Sequence, residues 1–282
     1  MQLQDKLSEY SASGRAILAT NFYNFETLSG VLIAAKQKKK PLILQLSESS
    51  VQYLGLKIAA DMARTALRSF EVEGWLHLDH GSSVETAHRC LDAGFDSVMI
   101  DASEKTFEEN VKITKQVVKI ADRYHANVEA ELGYVAKLGQ VQQVNQYTQP
   151  EEAKRFVEAT GVHALAIAIG SAHGFYKETP RLQLDLLSSI HAVTPAALVL
   201  HGSSGIPDDQ LREAVHRGIT KVNLATETKN IFMKTLQKIL RDNEEIDLRK
   251  VFPKATDAVV HLIEGKLDVI SDETVIAGTL NG

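Results

Sequence analysis

The chain of 282 residues has a single cysteine, no excess of basic residues, and no apolar run near the roughly 18 residues that announce a membrane span. One cysteine excludes an internal disulfide framework and any thiolate-cluster metal site. Cys90 itself falls in the helical pattern Val84-Glu85-Thr86-Ala87-His88-Arg89-Cys90-Leu91, where a buried structural thiol is expected rather than a nucleophile. The net charge of -5 leaves no basic stripe for a nucleic-acid backbone, and Lys36 with Lys38-Lys39-Lys40 reads as a solvated helix end. Nucleic acid and membrane are therefore not expected partners. The polar start MQLQDKLSEY is no secretory signal, so a cytoplasmic location is expected. No Pro/Gly/Ser-rich linker and no fixed-period repeat divides the chain. One domain over residues 1–282 is expected, because this length suits a single α/β barrel.

What is present is a rhythm. Eight short β-rich runs alternate with longer amphipathic stretches: Ala16 to Thr20, Leu42 to Gln45, Trp75 to Asp79, Ser97 to Ile100, Val128 to Glu131, Leu165 to Ile169, Ala197 to Leu200, and Lys221 to Leu224. Thr106 to Tyr124 shows the helical spacing between them. Eight βα units predict an α/β fold, a (β/α)8 TIM barrel, with a further helical segment in the tail after Arg249. A doubly wound open sheet is the competing architecture, but no GxGxxG follows an early strand. The tail helix packs across the barrel or reaches a neighbouring subunit; the sequence does not decide.

The chemistry gathers at strand ends, where barrels of this class hold their active sites. His77-Leu78-Asp79-His80-Gly81 puts two imidazoles and a carboxylate within four residues at a strand exit, although such a run also serves as a hydrogen-bonded cluster capping a strand. Asp101 follows strand four, Glu129 and Glu131 lie in strand five, and His173 and His201 follow strands six and seven. His80, His173 and His201 would converge from three strands as the neutral nitrogen set of a catalytic zinc with an open position. His77 reads as a supporting donor or a packed residue. The remaining histidines, His88, His125, His163, His191, His216 and His261, fall in helices, near their ends or before strand six, and read as surface or core.

A second set is polar and rich in glycine: Gly174 through Lys177, then Gly202, Ser203 and Ser204, then Asn223, Ala225 and Thr226. Backbone N–H groups at glycine, added hydroxyls, and a helix starting at Thr226 suit a phosphate, with an ordinary turn as the alternative for His201-Gly202-Ser203-Ser204-Gly205.

Taken in order, these motifs resemble the class II, zinc-dependent ketose-bisphosphate aldolases, especially the fructose/tagatose-bisphosphate branch. The likeness runs through Asn21 and Glu26, Pro41 to Ser47, HLDHG, Met99 to Ser103, Val128 to Gly133, SAHGFYK, LHGSSG and Lys221 to Thr226. It implies that Zn2+ sits on His80, His173 and His201, with Glu131 and Asp101 as further metal-assisting carboxylates in an alternative position. It implies that Asp79 is the acid/base at the breaking carbon–carbon bond. Gly174, Lys177, Gly202, Ser203, Ser204, Asn223, Ala225 and Thr226 would surround the phosphate of dihydroxyacetone phosphate, with a monovalent cation (Na+ or K+) nearby. Ser47 would face the far end of the substrate. The implied reaction is reversible cleavage of a phosphorylated ketose, such as fructose or tagatose 1,6-bisphosphate, to dihydroxyacetone phosphate and an aldehyde, by a homodimer or homotetramer. Competing readings are a related ketose 1-phosphate with a sulfonated or carboxylated aldehyde half, and a zinc-holding sugar-phosphate binder with reduced catalysis. One departure from the family pattern bears on them: no Asp or Glu occurs between Glu131 and Glu151, where relatives carry a loop glutamate. In the run Tyr134 to Gln143 that stands there, either Tyr134, a glutamine-held water or a residue from elsewhere carries that proton, or the reaction is slow or altered; the sequence does not choose.

Overall fold

The computed structural model describes residues 1–133, 135, 147–241 and 243–271. Eight parallel strands close in sequence order, the last pairing with the first: β1 Ile17–Asn21, β2 Leu42–Ser47, β3 Gly74–Gly81, β4 Ser97–Ile100, β5 Asn127–Leu132, β6 Ala164–Ile167, β7 Ala197–Leu200 and β8 Ile219–Leu224. The barrel expected from the βα rhythm is what forms, and the open sheet is excluded by closure. Strand limits differ from the sequence reading by a few residues, as ladder hydrogen bonds rather than apolarity set them.

The helices follow the strands: α1 Leu3–Ala12, α2 Phe25–Lys38, α3 Glu48–Leu54, α4 Leu56–Phe70, α5 Val84–Asp92, α6 Phe107–Ala121, α7 Pro150–Thr160, α8 Leu184–Val193, α9 Asp208–His216, α10 Thr226–Leu240 and α11 Leu248–Ile270. Local chemistry starts several of them. Asn24 and Thr27 form a reciprocal capping box on α2, as do Thr106 and Glu109 on α6, and Ser83 accepts from the Thr86 N–H on α5. The helical pattern read to Tyr124 ends earlier as an α-helix, at Ala121, and closes with a 3-10 turn, Asp122–Tyr124.

Alternation along each strand makes two cores. Outward residues such as Leu42, Leu44 and Leu46 of β2 join the helices, while inward residues Ile17, Ala19, Ile43, Trp75, Met99 and Val199 fill the barrel. Leu3, Leu7 and Tyr10 of α1 belong to the inner cluster. The first helix therefore plugs the floor of the barrel, and the Trp75 Nε1–H donates to the Met1 carbonyl at 3.2 Å. The helical part of the tail packs on its own barrel: Val251, Ala255, Val259, Ile263 and Leu267 of α11 recur every fourth residue and are buried, and the helix packs on α2 and α10. The polar end of the tail lies outside the described residues.

Candidate active site at the barrel mouth

Strand alternation would send Asp79 and His80 to opposite faces. The chain avoids this with an irregularity: the β3–β4 register shifts between Leu78 and Gly81, and His80 takes a left-handed backbone with φ 53°. That conformation costs a non-glycine residue about 1–2 kcal/mol. Gly81 completes the kink, since a Cβ there would stand 2.6 Å from the Met99 carbonyl oxygen of β4. Asp79 and His80 thereby both line one cavity at the carboxyl ends of the strands, with Asn21, His173, His201 and Asn223.

The imidazoles meet there. His80 Nε2 lies 3.0 Å from His201 Nδ1, and the His173 ring sits edge-on to both, with centroids 5.0 Å and 5.7 Å away. One ligand atom from each of His80, Glu131, His173 and His201 can be chosen so that all four lie within 4.8 Å of one another. Glu131 Oε2 is buried with no hydrogen-bond partner. Three nitrogens and an orphaned carboxylate oxygen are a donor set that suits zinc, so the residues fit the metal.

Two of the rings, His80 and His201, are held from behind. Asp101 Oδ2 sits 2.7 Å from His80 Nδ1 and its Oδ1 accepts from the Ser103 N–H and Oγ–H, which points His80 Nε2 into the cluster. Glu129 Oε1 sits 2.8 Å from His201 Nε2, leaving His201 Nδ1 toward His80. Beneath it, the Lys221 ammonium donates to Glu129 Oε2 at 2.6 Å, both side chains being 1% exposed. His77 lies in this lower layer, with Ser97 Oγ 2.7 Å from its Nδ1 and Lys221 3.4 Å from its Nε2; it is packed in the barrel rather than in the ligand cluster. Asp101 likewise stands outside the four-residue ligand set.

Burial, then the neighbouring His201 and His80, bring His173 down to about 3, and burial lowers His201, so both rings are neutral near pH 7. Burial also works against charge on His80, but Asp101, Asp79 and Glu131 outweigh it and raise the ring to about 9. Burial and the Asp101 charge push Glu131 up to about 8. Asp79 goes the other way: burial opposes its charge, yet His80 and His201 and a 3.0 Å bond from Asn21 Nδ2 keep its carboxyl below the usual range. Its second oxygen, Oδ1, has no partner and is 3.9 Å from His80 Nε2. Asp79 is thus an ionised carboxylate with one free oxygen.

The glycine-rich set comes together in the same cavity. Gly174, Gly202, Ser204, Asn223, Ala225 and Thr226 line the same cavity, beside the N-terminus of α10. Ser203 does not: its hydroxyl is turned to the Asn223 carbonyl at 2.6 Å. The Asn223 amide nitrogen lies 3.1 Å from His201 Nε2. Lys177 is exposed on the loop after β6, and Ser47 stands at the end of β2, its Oγ within 3.1 Å of the Ser49 and Ser50 hydroxyls. Tyr134 and residues 136–143, where a substitute proton carrier is expected, lie outside the described residues. Sequence reasoning missed Lys221 as a partner of Glu129 and left Asp101 without its link to His80. Only the strand register brings them together.

A family model for "Fructose-bisphosphate aldolase class-II" matches residues 1–274. The chain belongs to the class-II fructose-bisphosphate aldolase family. It is accordingly a lyase of the aldolase type, and zinc dependence is general for this family. A "Fructose-bisphosphate aldolase" from Geobacillus stearothermophilus is 38% identical over 275 residues, 95% of either chain. Among solved structures, the YdjI aldolase from Escherichia coli K12 is 30% identical with a TM-score of 0.85, over 97% of this chain and 98% of that one. The "Fructose-bisphosphate Aldolase (Fba)" from Campylobacter jejuni, at 22% identity and a TM-score of 0.81 over 95% of this chain and 93% of that one, shares the aldolase barrel as a fold. The family match and the curated relative favour aldol cleavage over the binding-paralogue and altered-aldehyde readings.

Proposed function

We propose that this class-II aldolase reversibly cleaves fructose 1,6-bisphosphate to dihydroxyacetone phosphate and glyceraldehyde 3-phosphate, with Asp79 as acid/base and His80, His173 and His201 as the metal ligands. The observation that carries it is the adjacency of Asp79 and His80 on one cavity that the anion-cradling loops also line. Glu131 supplies a fourth, alternative ligand through its unpartnered oxygen. Asp101 acts behind His80 as the group that fixes its ring, a narrower role than ligation.

Zinc held by these residues would supply Lewis acidity toward the ketose carbonyl. The protein does the rest. Gly174, Gly202, Ser204, Asn223, Ala225 and Thr226 hold the phosphate next to the ketone, with Ser203 supporting the Asn223 backbone and Lys177 adding charge at the rim. Asp79, kept ionised, takes the proton from the fourth-carbon hydroxyl in cleavage and returns it in condensation. Asn21 holds the carboxylate in place. Ser47 meets the far end of the substrate. A monovalent cation, Na+ or K+, accompanies the phosphate loops.

The chain forms one domain over residues 1–282 and works in the cytoplasm as a homodimer or homotetramer. In support, no helix among the described residues is long and apolar enough to cross a membrane, and Tyr53 and Ile58, near neighbours in sequence, are exposed. The test is to follow dihydroxyacetone phosphate release from fructose and tagatose bisphosphates, with and without a chelator. Chelator-sensitive release with fructose 1,6-bisphosphate as the best substrate is expected. Release unaffected by metal removal, or none from any ketose bisphosphate, would sink the assignment.

A further inference from the structure

Tyr176 belongs neither to the ligand cluster nor to the residues lining the cavity, yet its hydroxyl lies between the two loops that bring in His173 and His201. It accepts from the Ala172 N–H at 2.8 Å and donates to the Gly202 carbonyl at 2.7 Å. Ala172 is the residue before His173, and Gly202 the residue after His201. One hydroxyl therefore ties the Ser171–Ala172 peptide to the Gly202–Ser203 peptide, each one residue beyond the peptide that flanks a ligand histidine. Only a group that donates and accepts at once does this, and phenylalanine in its place keeps the ring while losing both bonds.

The two loops are in backbone contact at the same point. A Cβ on Gly202, whose φ is +67°, would fall 2.3 Å from the Ala172 carbonyl oxygen. Without that close approach the tyrosine could not span the gap. The ring is seated as well, with its Cδ2 3.3 Å from where a Cβ on Gly205 would stand. The dependence is greater for His173. The His201 ring is gripped by Glu129 at 2.8 Å, whereas among the described residues the His173 ring meets His80 and His201 through edge contacts, which gives its backbone the larger part in placing it.

We propose that Tyr176 is a positioning residue for the metal centre, its hydroxyl setting the separation of His173 from His201 and through it the affinity for zinc. This rests on the reading of His80, His173 and His201 as ligands. Outer partners of metal ligands commonly matter to affinity by about 10- to 100-fold; because Tyr176 acts through the backbone, the lower end applies.

The experiment compares wild type, Tyr176→Phe and His173→Ala as full-length, metal-stripped proteins. Zinc affinity is read by competition with a chromophoric chelator, and the melting temperature is taken without metal. Tyr176→Phe is expected to raise the zinc Kd about tenfold, which corresponds to about 1.4 kcal/mol, while His173→Ala loses tight binding. A purely structural tyrosine would lower the metal-free melting temperature and leave the zinc Kd at the wild-type value; that result, with His173→Ala still defective, overturns the proposal. Wild-type affinity in His173→Ala overturns instead the ligand assignment beneath it. If Tyr176→Phe does not fold, Gly205→Ala presses on the same ring with the hydroxyl retained, and Gly94→Ala, at a φ of +92° with open space around it, controls for the backbone strain at Gly205 (φ +88°). A smaller rise in zinc Kd is expected in Gly205→Ala, and an unchanged Kd there counts against the clasp.

Discussion

The two ends of one barrel are built on opposite terms. At the floor, Ile17, Ile43, Trp75 and Met99 pack under the α1 plug of Leu3, Leu7 and Tyr10. At the mouth, β1, β3, β5 and β8 carry Asn21, Asp79, Glu131 and Asn223, with His201 just past β7, and buried oxygens of Asn21, Asp79, Glu131 and Asn223 lack a hydrogen-bond partner. Between them lies the Lys221–Glu129–His77 layer, charged and sealed. Unpaired buried polar atoms cost about 1–3 kcal/mol each, so the mouth is held in its shape by the floor and the layer above it. The difference teaches where to look for stability and where for chemistry: apolar packing is concentrated below, while unmet bonding capacity begins inside the barrel, at Gln45 and Asn127, and gathers at the mouth.

The comparison can be broken from the top down. Removing the carboxylate in Asp79→Ala should slow cleavage by about 10²- to 10⁴-fold, the range for a positioned acid/base. Zinc content, measured on the same sample by atomic emission, should stay stoichiometric because the ligands are untouched. Unchanged turnover would remove Asp79 from the chemistry.

In the middle layer, Lys221→Met strands the Glu129 charge in the core. Leaving one partner of a buried pair alone costs about 3–5 kcal/mol, to be read from urea unfolding of the metal-free protein. The double variant Lys221→Met/Glu129→Gln should recover part of that loss, since the stranded charge is gone; a loss equal to the single variant's would mean that the ion pair is not what Lys221 contributes.

At the floor, Leu7→Ala should cost about 2–5 kcal/mol by opening a cavity in the plug while kcat and KM remain near wild type. A large kinetic effect would show that the two ends are not separable.

The smallest effect is in pH. His80, raised from 6.5 to about 9 in the folded chain, contributes stability that is complete below about 6.5 and lost as pH climbs through about 9. Glu131, raised from 4.5 to about 8, holds its proton more firmly when folded, so it too loses stability for the fold as pH rises from 4.5 to 8. The lowered His173 and His201 pull the other way, gaining stability as pH rises toward and through 6.5, so the net fall in the metal-free melting temperature is expected above about pH 7, as Glu131 and His80 lose their protons. Zinc binds the deprotonated ligands, so the loaded protein should show a flatter or reversed trend. A metal-free melting temperature that rises over this window contradicts the assigned proton on His80.

The fold was legible because strand and helix periods alternate eight times, and because each strand ends on chemically capable residues. Met99-Ile100-Asp101 and Leu200-His201-Gly202 announce themselves as apolar runs giving way to polar exits. Other features needed three dimensions. Lys221 opens the eighth β-rich run, and nothing local says that Glu129, 92 residues earlier, stands 2.6 Å from it across the barrel. The polar start gave no hint that α1 plugs the floor, since only Leu3, Leu7 and Tyr10 carry the contact. Nor does the spelling His77-Leu78-Asp79-His80 reveal a bulge: alternation predicts divergent side chains, and the left-handed turn at His80 defeats it.

That turn has a consequence for robustness. The distances among His80, His173 and His201 depend on three strands keeping station, so they widen and narrow whenever the barrel breathes. Asp79 and His80 are covalent neighbours, their Cα atoms about 3.8 Å apart whatever the barrel does. Heating or a loosened floor will therefore degrade the hold on the metal sooner than the alignment of base with metal. Such an enzyme should fail by losing its ion while each molecule that keeps it still turns over at nearly full speed.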